Sequence, residues 1–144
     1  MPARIIEHSF NPWQILAQHE TSLAPGSFGA CANFVGSMRA FNAGNQVSQM
    51  SLEHYPAMTQ QYLDELCAHT IRRWELVDGL IIHRVGQIKP GESIVLTAAW
   101  AAHREAAFSA CRYMMEELKT NAPFWKKEIT DIGERWVHDA PTDI

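Results

Sequence analysis

The residues in this chain with the clearest capacity for chemistry are basic, and they fall in three places. His103 and Arg104 stand where an apolar run, residues 93–102, passes into a helical pattern. The first backbone NH groups of a helix are unpaired and carry the positive end of its dipole, so a guanidinium beside them makes a site for a phosphate or a carboxylate. Lys119, Lys126 and Lys127 form a second set, interleaved with Phe124 and Trp125. A partly desolvated ammonium gives up its proton more readily than one in water, which suits a base or a nucleophile. Arg39 is the third, in a long segment after Gly36 where backbone can approach a ligand closely. Each has a plainer reading: a solvated arginine beside a packing histidine, a lysine that complements a helix C-terminus, a Lys-Lys pair on a wet surface.

Other reactive types are placed less favourably. The seven histidines include no pair at helical ligand spacing and no accompanying carboxylate motif, so neither a bound metal nor a cofactor is expected. Cys31, Cys67 and Cys111 are odd in number and far apart, which argues against a disulfide framework and fits a reducing compartment. Cys67 and Cys111 fall on apolar helix faces and Cys31 in a strand, so buried, inert thiols are expected. Cys31 alone lies near the Gly36 segment, and a persulfide sulfurtransferase working through it is the enzymatic alternative. His83 and Arg84 are adjacent on a strand whose alternation sends their side chains to opposite faces, and both are read as structural.

At 144 residues, 47% apolar and 19% charged, the chain suits one compact domain over residues 1–144. A formal net charge of −4 gives no general reason to bind nucleic acid or acidic lipid. The longest uncharged apolar run, residues 93–102, is about half of what a membrane-spanning helix needs, and a cytoplasmic protein is expected.

The elements that must position these residues follow from pattern and punctuation. Asn11 then Pro12 predicts a capped short helix to His19, after a strand at residues 4–8. Residues 30–35 and 47–52 read as paired strands flanking the 36–46 loop. Pro56 opens a helix whose apolar face is Leu63, Leu66, Cys67, Thr70, Ile71 and Trp74. Residues 80–85 and 94–100 read as a hairpin, with Pro90 and Gly91 at the centre of a type II turn. From His103 to Asn121 the face Ala107, Cys111, Met114, Met115 and Leu118 predicts a second long helix, stopped by Pro123. Residues 124–137, broken by Gly133, read as a short strand and a turn. Strands and helices in mixed order, with hairpin connections, indicate an α+β fold: a mainly antiparallel sheet, two main helices packed on it, and a small strand subdomain.

Several blocks, in order, resemble the molybdopterin synthase large (catalytic) subunit family, MoaE. They are Phe34-Val35-Gly36 with Arg39, Asn42 and Gly44; Leu52-Glu53-His54-Tyr55 with Met58; His83-Arg84-Val85-Gly86 with Pro90-Gly91-Glu92; His103-Arg104 with Ala107-Phe108 and Ala110; and Leu118-Lys119 with Pro123-Phe124-Trp125-Lys126-Lys127-Glu128. The resemblance implies a hammerhead-like fold and a heterotetramer, with two large subunits as a central homodimer and a small ubiquitin-like sulfur-carrier subunit at each end. It implies sulfur transfer from that subunit's thiocarboxylated Gly-Gly tail to cyclic pyranopterin monophosphate, in molybdenum cofactor biosynthesis. It further implies Lys119 and Lys126 as catalytic lysines, Arg39, His103 and Arg104 as ligands of the anionic substrate, and Ser37, Met38, Lys127 and Glu128 in the same pocket. Met38 and the acidic tail after Val137 depart from the family's pattern. A non-catalytic module docking an acidic protein tail is the remaining alternative.

One consequence is purely geometric. His103 and Lys119 are sixteen positions apart on one predicted helix, which at about 1.5 Å per residue separates them by roughly 24 Å. No proline or glycine interrupts that helix, so a small pterin reaches both only if the two ends come from different subunits.

Overall fold

The computed structural model describes residues 2–137. The chain runs β1 (Ala3–Ile6), α1 (Pro12–Glu20), β2 (Ala30–Ser37), β3 (Phe41–Asn42), β4 (Asn45–His54), α2 (Pro56–Arg73), β5 (Asp78–Arg84), β6 (Gly86–Ile88), β7 (Ser93–Ala101), α3 (Arg104–Asn121), β8 (Phe124–Thr130) and β9 (Gly133–Val137). This is the expected α+β class, with α2 and α3 as its two main helices. The acidic tail singled out in the sequence lies outside the described residues. No helix among them is long and apolar enough to cross a membrane.

One sheet has the order β1-β5-β7-β2, with β1 parallel to β5 and the other pairings antiparallel. Its central strands are buried on both faces, which explains why they read as almost unbroken apolar runs. Leu80, Ile82, Leu96, Ala98 and Trp100 face α1, against Ile15 and Leu16. Ile81, Val95, Ala99 and Ala101 face the other way, onto Leu63 and Leu66 of α2 and Ala107 and Met114 of α3. Asn11 caps α1 as its type predicts, its Oδ1 accepting from the Trp13 and Gln14 amides at 3.0 and 3.2 Å. The α3 helix is continuous and ends where Ala122, ahead of Pro123, turns extended (ψ 137°). Cys111 lies 3.4 Å from the Thr97 hydroxyl, so α3 folds back along β7 and carries its C-terminus toward the start of that strand.

The second sheet, β3-β4-β8-β9 with β6 also on β4, is where the sequence reading needs correcting. The strands predicted at residues 30–35 and 47–52 both form but do not pair: β2 joins β7, and β4 joins β8 and β6. Alternation shows which face of a strand is apolar and says nothing of its partner, and an eleven-residue connection leaves both strands free to enter different sheets. The hairpin of β5 with β7 is present, in register Ile81↔Thr97. Its connection, however, detours through β6. The Lys89–Glu92 turn has the expected geometry, with Gly91 at φ +88° and the Glu92 amide 3.1 Å from the Lys89 carbonyl. Residues 124–137 make a complete hairpin in which Gly133 opens the second strand.

Candidate active site

Strand alternation puts Lys126 and Glu128 on one face of β8 and Lys127 on the other. The inner face closes a pocket with Ser37, Met38 and Arg39 from the end of β2, with Phe41, Asn42, Met50 and Ile94 as further walls. The Lys126 side chain is 11% exposed, and its Nζ stands 3.7 Å from Oε2 of Glu128, whose side chain is 4% exposed. Two charges so far from water need further partners. Asn42 Nδ2 donates to both Glu128 oxygens at 3.0 and 2.9 Å, Arg135 Nε donates to Oε1 at 3.1 Å, and Arg135 Nη2 ties back to the Asn42 carbonyl at 2.8 Å. Glu128 is thus a fixed anchor, and Lys126, beside it, is among the residues that line the pocket. Lys127, 3.1 Å from Glu134 and 5.6 Å above the Trp136 ring, belongs to the outer face.

Lys119 occupies the last turn of α3, exposed, beside a groove lined by Ala32, Asn33, Phe34, Phe108 and Met115. Phe34 precedes Ser37 by three residues on β2, so groove and pocket are about 10 Å apart along the strand. His103 and Arg104 lie elsewhere. His103 caps α3 in extended conformation without a side-chain capping bond, and both residues are exposed. Ala101 pairs with Ala30 and Ser93 with Ser37, so the His103 end of the sheet and the Arg39 end are seven residues apart on β2. That is about 23 Å, which agrees with the length of the helix between His103 and Lys119. Ser37, Met38, Arg39, Lys126 and Glu128 come together within one chain, with Lys119 at their end of the molecule. His103 and Arg104 do not join them.

The thiols are poorly placed to act as nucleophiles. Burial, reinforced by Glu20, pushes Cys31 up to about 11, which leaves little of it as thiolate at neutral pH. Cys31 also packs with the α1-facing cluster, on the side of β2 away from Ala32 and Phe34. Burial raises Cys67 to about 12 and raises Cys111 too. Both are core residues.

Sequence reasoning gave no role to Asn42 or Arg135, the two residues that fix Glu128. They are 93 positions apart and meet only through the β4–β8–β9 register, for which no local signal exists. Lys126 and Glu128, two apart on β8, share a face, but their placing in one pocket came only from the family resemblance.

Residues 7–121 match the family described as MoaE protein. The molybdopterin synthase catalytic subunit of Ralstonia nicotianae is 50% identical over 115 residues, which are 80% of this chain and 65% of that one. The subunit of the same name from Pseudomonas aeruginosa is 45% identical over 144 residues, covering 99% of this chain and 94% of that one. Among solved structures, a molybdopterin biosynthesis MoaE protein from Burkholderia ambifaria superimposes with a TM-score of 0.79 at 42% identity, covering 99% of this chain and 91% of that one. With its family model matched over residues 7–121 and a relative 45% identical over 99% of its length, the chain belongs to the MoaE family, the catalytic subunits of molybdopterin synthase, sulfur-transferring enzymes of molybdenum cofactor biosynthesis.

Proposed function

We propose that this chain passes sulfur from the C-terminal thiocarboxylate of a small ubiquitin-like protein to cyclic pyranopterin monophosphate, and that two such transfers make the dithiolene of molybdopterin. The observation that carries this reading is Lys126, an ammonium largely withdrawn from water, fixed beside Glu128 and sharing a pocket with Arg39. The thiocarboxylate sulfur attacks a carbon of the precursor with loss of an oxygen substituent, joining carrier and pterin as a thioester. Water then attacks the thioester carbon, and the tetrahedral oxyanion, stabilised by preorganised positive charge in a dry pocket, collapses to the carrier's carboxylate and leaves the sulfur on the pterin. Lys119 and Lys126 are the catalytic lysines. Arg39 holds the substrate's anionic phosphate, and the Ser37–Met38 backbone lines its berth.

His103 and Arg104 enter the same site from a second copy of the chain. The geometry of β2 supports this. It closes one side of its sheet, and among the described residues its ladder is with β7 alone. A two-fold axis through the middle of β2 would set the Ser37 end of one copy against the Ala30 end of the other, bringing the partner's helix start to Arg39 and Lys119. The same contact would cover Phe108, which is 65% exposed beside that groove.

Reconstitution tests the reaction. Mixed with a thiocarboxylated small subunit and the cyclic precursor, the protein should yield dithiolene. Lys119→Ala and Lys126→Ala should each lower single-turnover sulfur transfer by at least about a hundredfold, the usual worth of one preorganised charge at an oxyanion. Full activity in a folded variant removes that lysine from the mechanism, and loss on Cys31→Ala alone would favour the persulfide route.

A further inference from the structure

Arg84, at the end of β5, takes no part in the chemistry above, yet its guanidinium is placed with unusual consequence. Its side chain is 7% exposed. Nη2 donates to the Gln87 carbonyl at 2.7 Å, and Nη1 lies 3.0 Å from Glu92 Oε1 without the alignment of a hydrogen bond. Nε has no hydrogen-bond partner among the described residues. A buried cation so incompletely matched is a poor device for stability, since desolvation offsets much of what one ion pair returns. What it does secure is the conformation of the turn in front of it.

Glu92 ends that turn. Its Oε1 also accepts from the Lys89 amide at 2.7 Å, and this bond, with Arg84 beside it, holds the carboxyl below the usual carboxylate range. Gly91, at φ +88°, aims its NH at the Met38 carbonyl, 2.8 Å away, and the Met38 amide donates to the Glu92 carbonyl at 2.9 Å. Both backbone groups of Met38 are thus committed to the turn. Regular pairing of β2 with β7 is broken by the shift between Gly36 and Ser37, so Met38 and Arg39 lie past the ladder that would otherwise fix them.

We propose that Arg84 and Glu92 are positioning residues for the anion site, their ion pair fixing the Lys89–Glu92 turn, the Met38 backbone it clamps, and so the direction in which Arg39 leaves the chain. The inference rests on the reading of Arg39 as a ligand of the cyclic phosphate. Arg84 is too deeply packed for safe replacement, whereas the Glu92 side chain is 30% exposed, so the test is a double-mutant cycle on Glu92 and Arg39. Binding of cyclic pyranopterin monophosphate is measured anaerobically by calorimetry, with small-subunit binding alongside. Glu92→Ala should weaken precursor binding about tenfold in the otherwise unchanged chain and less than about twofold in the Arg39→Ala background, because it acts through Arg39. Small-subunit affinity should stay unchanged, and the Met38 and Gly91 amides should exchange with solvent faster. If Glu92→Ala unfolds, Glu92→Gln, which keeps an acceptor for Lys89, enters the same cycle. Equal factors in the two backgrounds, or no effect in either, overturn the inference and leave the role of Arg39 standing. An Arg39→Ala chain that binds the precursor normally overturns that role and the inference with it.

Discussion

Glu128 is the residue around which the pocket is organised, although its own carboxylate is nearly sealed from solvent. Asn42 supplies two of its hydrogen bonds, Arg135 a third, and Lys126 stands 3.7 Å from it. The arrangement separates two tasks: Asn42 and Arg135 hydrogen-bond the anchor, and Lys126 lines the pocket beside it. Removing Asn42 is therefore expected to act twice. A buried acceptor that loses its donors costs about 1–3 kcal/mol, so Asn42→Ala should lower the melting temperature by several degrees. A rotated Glu128 also displaces Lys126, so kcat for sulfur transfer should fall at least about tenfold, while small-subunit binding changes little. Stopped single turnovers at a temperature well below the melting transition would separate the two effects. An Asn42→Ala chain that is less stable but equally fast would show that the clamp serves stability alone.

The elements behave as levers for these residues. The α3 helix is the clearest case, because its uninterrupted eighteen residues keep His103 and Lys119 at opposite ends of the molecule. Its start is pinned by a close approach. The Gly29 amide donates to the Ala101 carbonyl at 2.9 Å, and a Cβ on Gly29 would stand 2.3 Å from the Ala102 carbonyl oxygen. Backbone on backbone cannot yield as a side chain can. Gly29→Ala should therefore push β2 away from the β7–α3 junction, at a cost of about 1–3 kcal/mol, and should weaken precursor binding by shifting His103 and Arg104. A variant of unchanged stability and affinity would contradict that coupling. Both long helices, the α1 cap and the Pro90-Gly91 turn were legible in the sequence, because period, capping residue and positive φ are properties of neighbouring residues. Of the strand partners, only the pairing of β5 with β7 was legible, through the turn between them. The separation of β2 from β4, the detour through β6 and the Asn42–Arg135 contact are set by competition among strands for the same faces, which no local window contains.

At the scale of the whole molecule, a chain of net charge −4 must gather its cations to bind the anionic pterin and anionic tail proposed above, and the proposed set is only partly brought together within one copy. Arg39, Lys119 and Lys126 lie toward one end of the sheet, with His103 and Arg104 about 23 Å away at the other, too far for one small ligand to bridge. The two-fold pairing proposed along β2 would cure the shortfall twice, since each copy would lend its helix start to the other and both composite sites would become complete. Complementation tests this directly. Arg104→Ala and Lys119→Ala chains should each be inactive as homodimers. After subunit exchange, a mixed dimer would carry one site with both lesions and one with neither, so it should recover about half of wild-type activity per dimer. Exchange can be verified by differently tagged chains, and the recovered activity should scale with the mixed fraction. Demonstrated exchange with no recovery would mean that each chain completes its site alone, and that His103 and Arg104 serve some other end of the molecule.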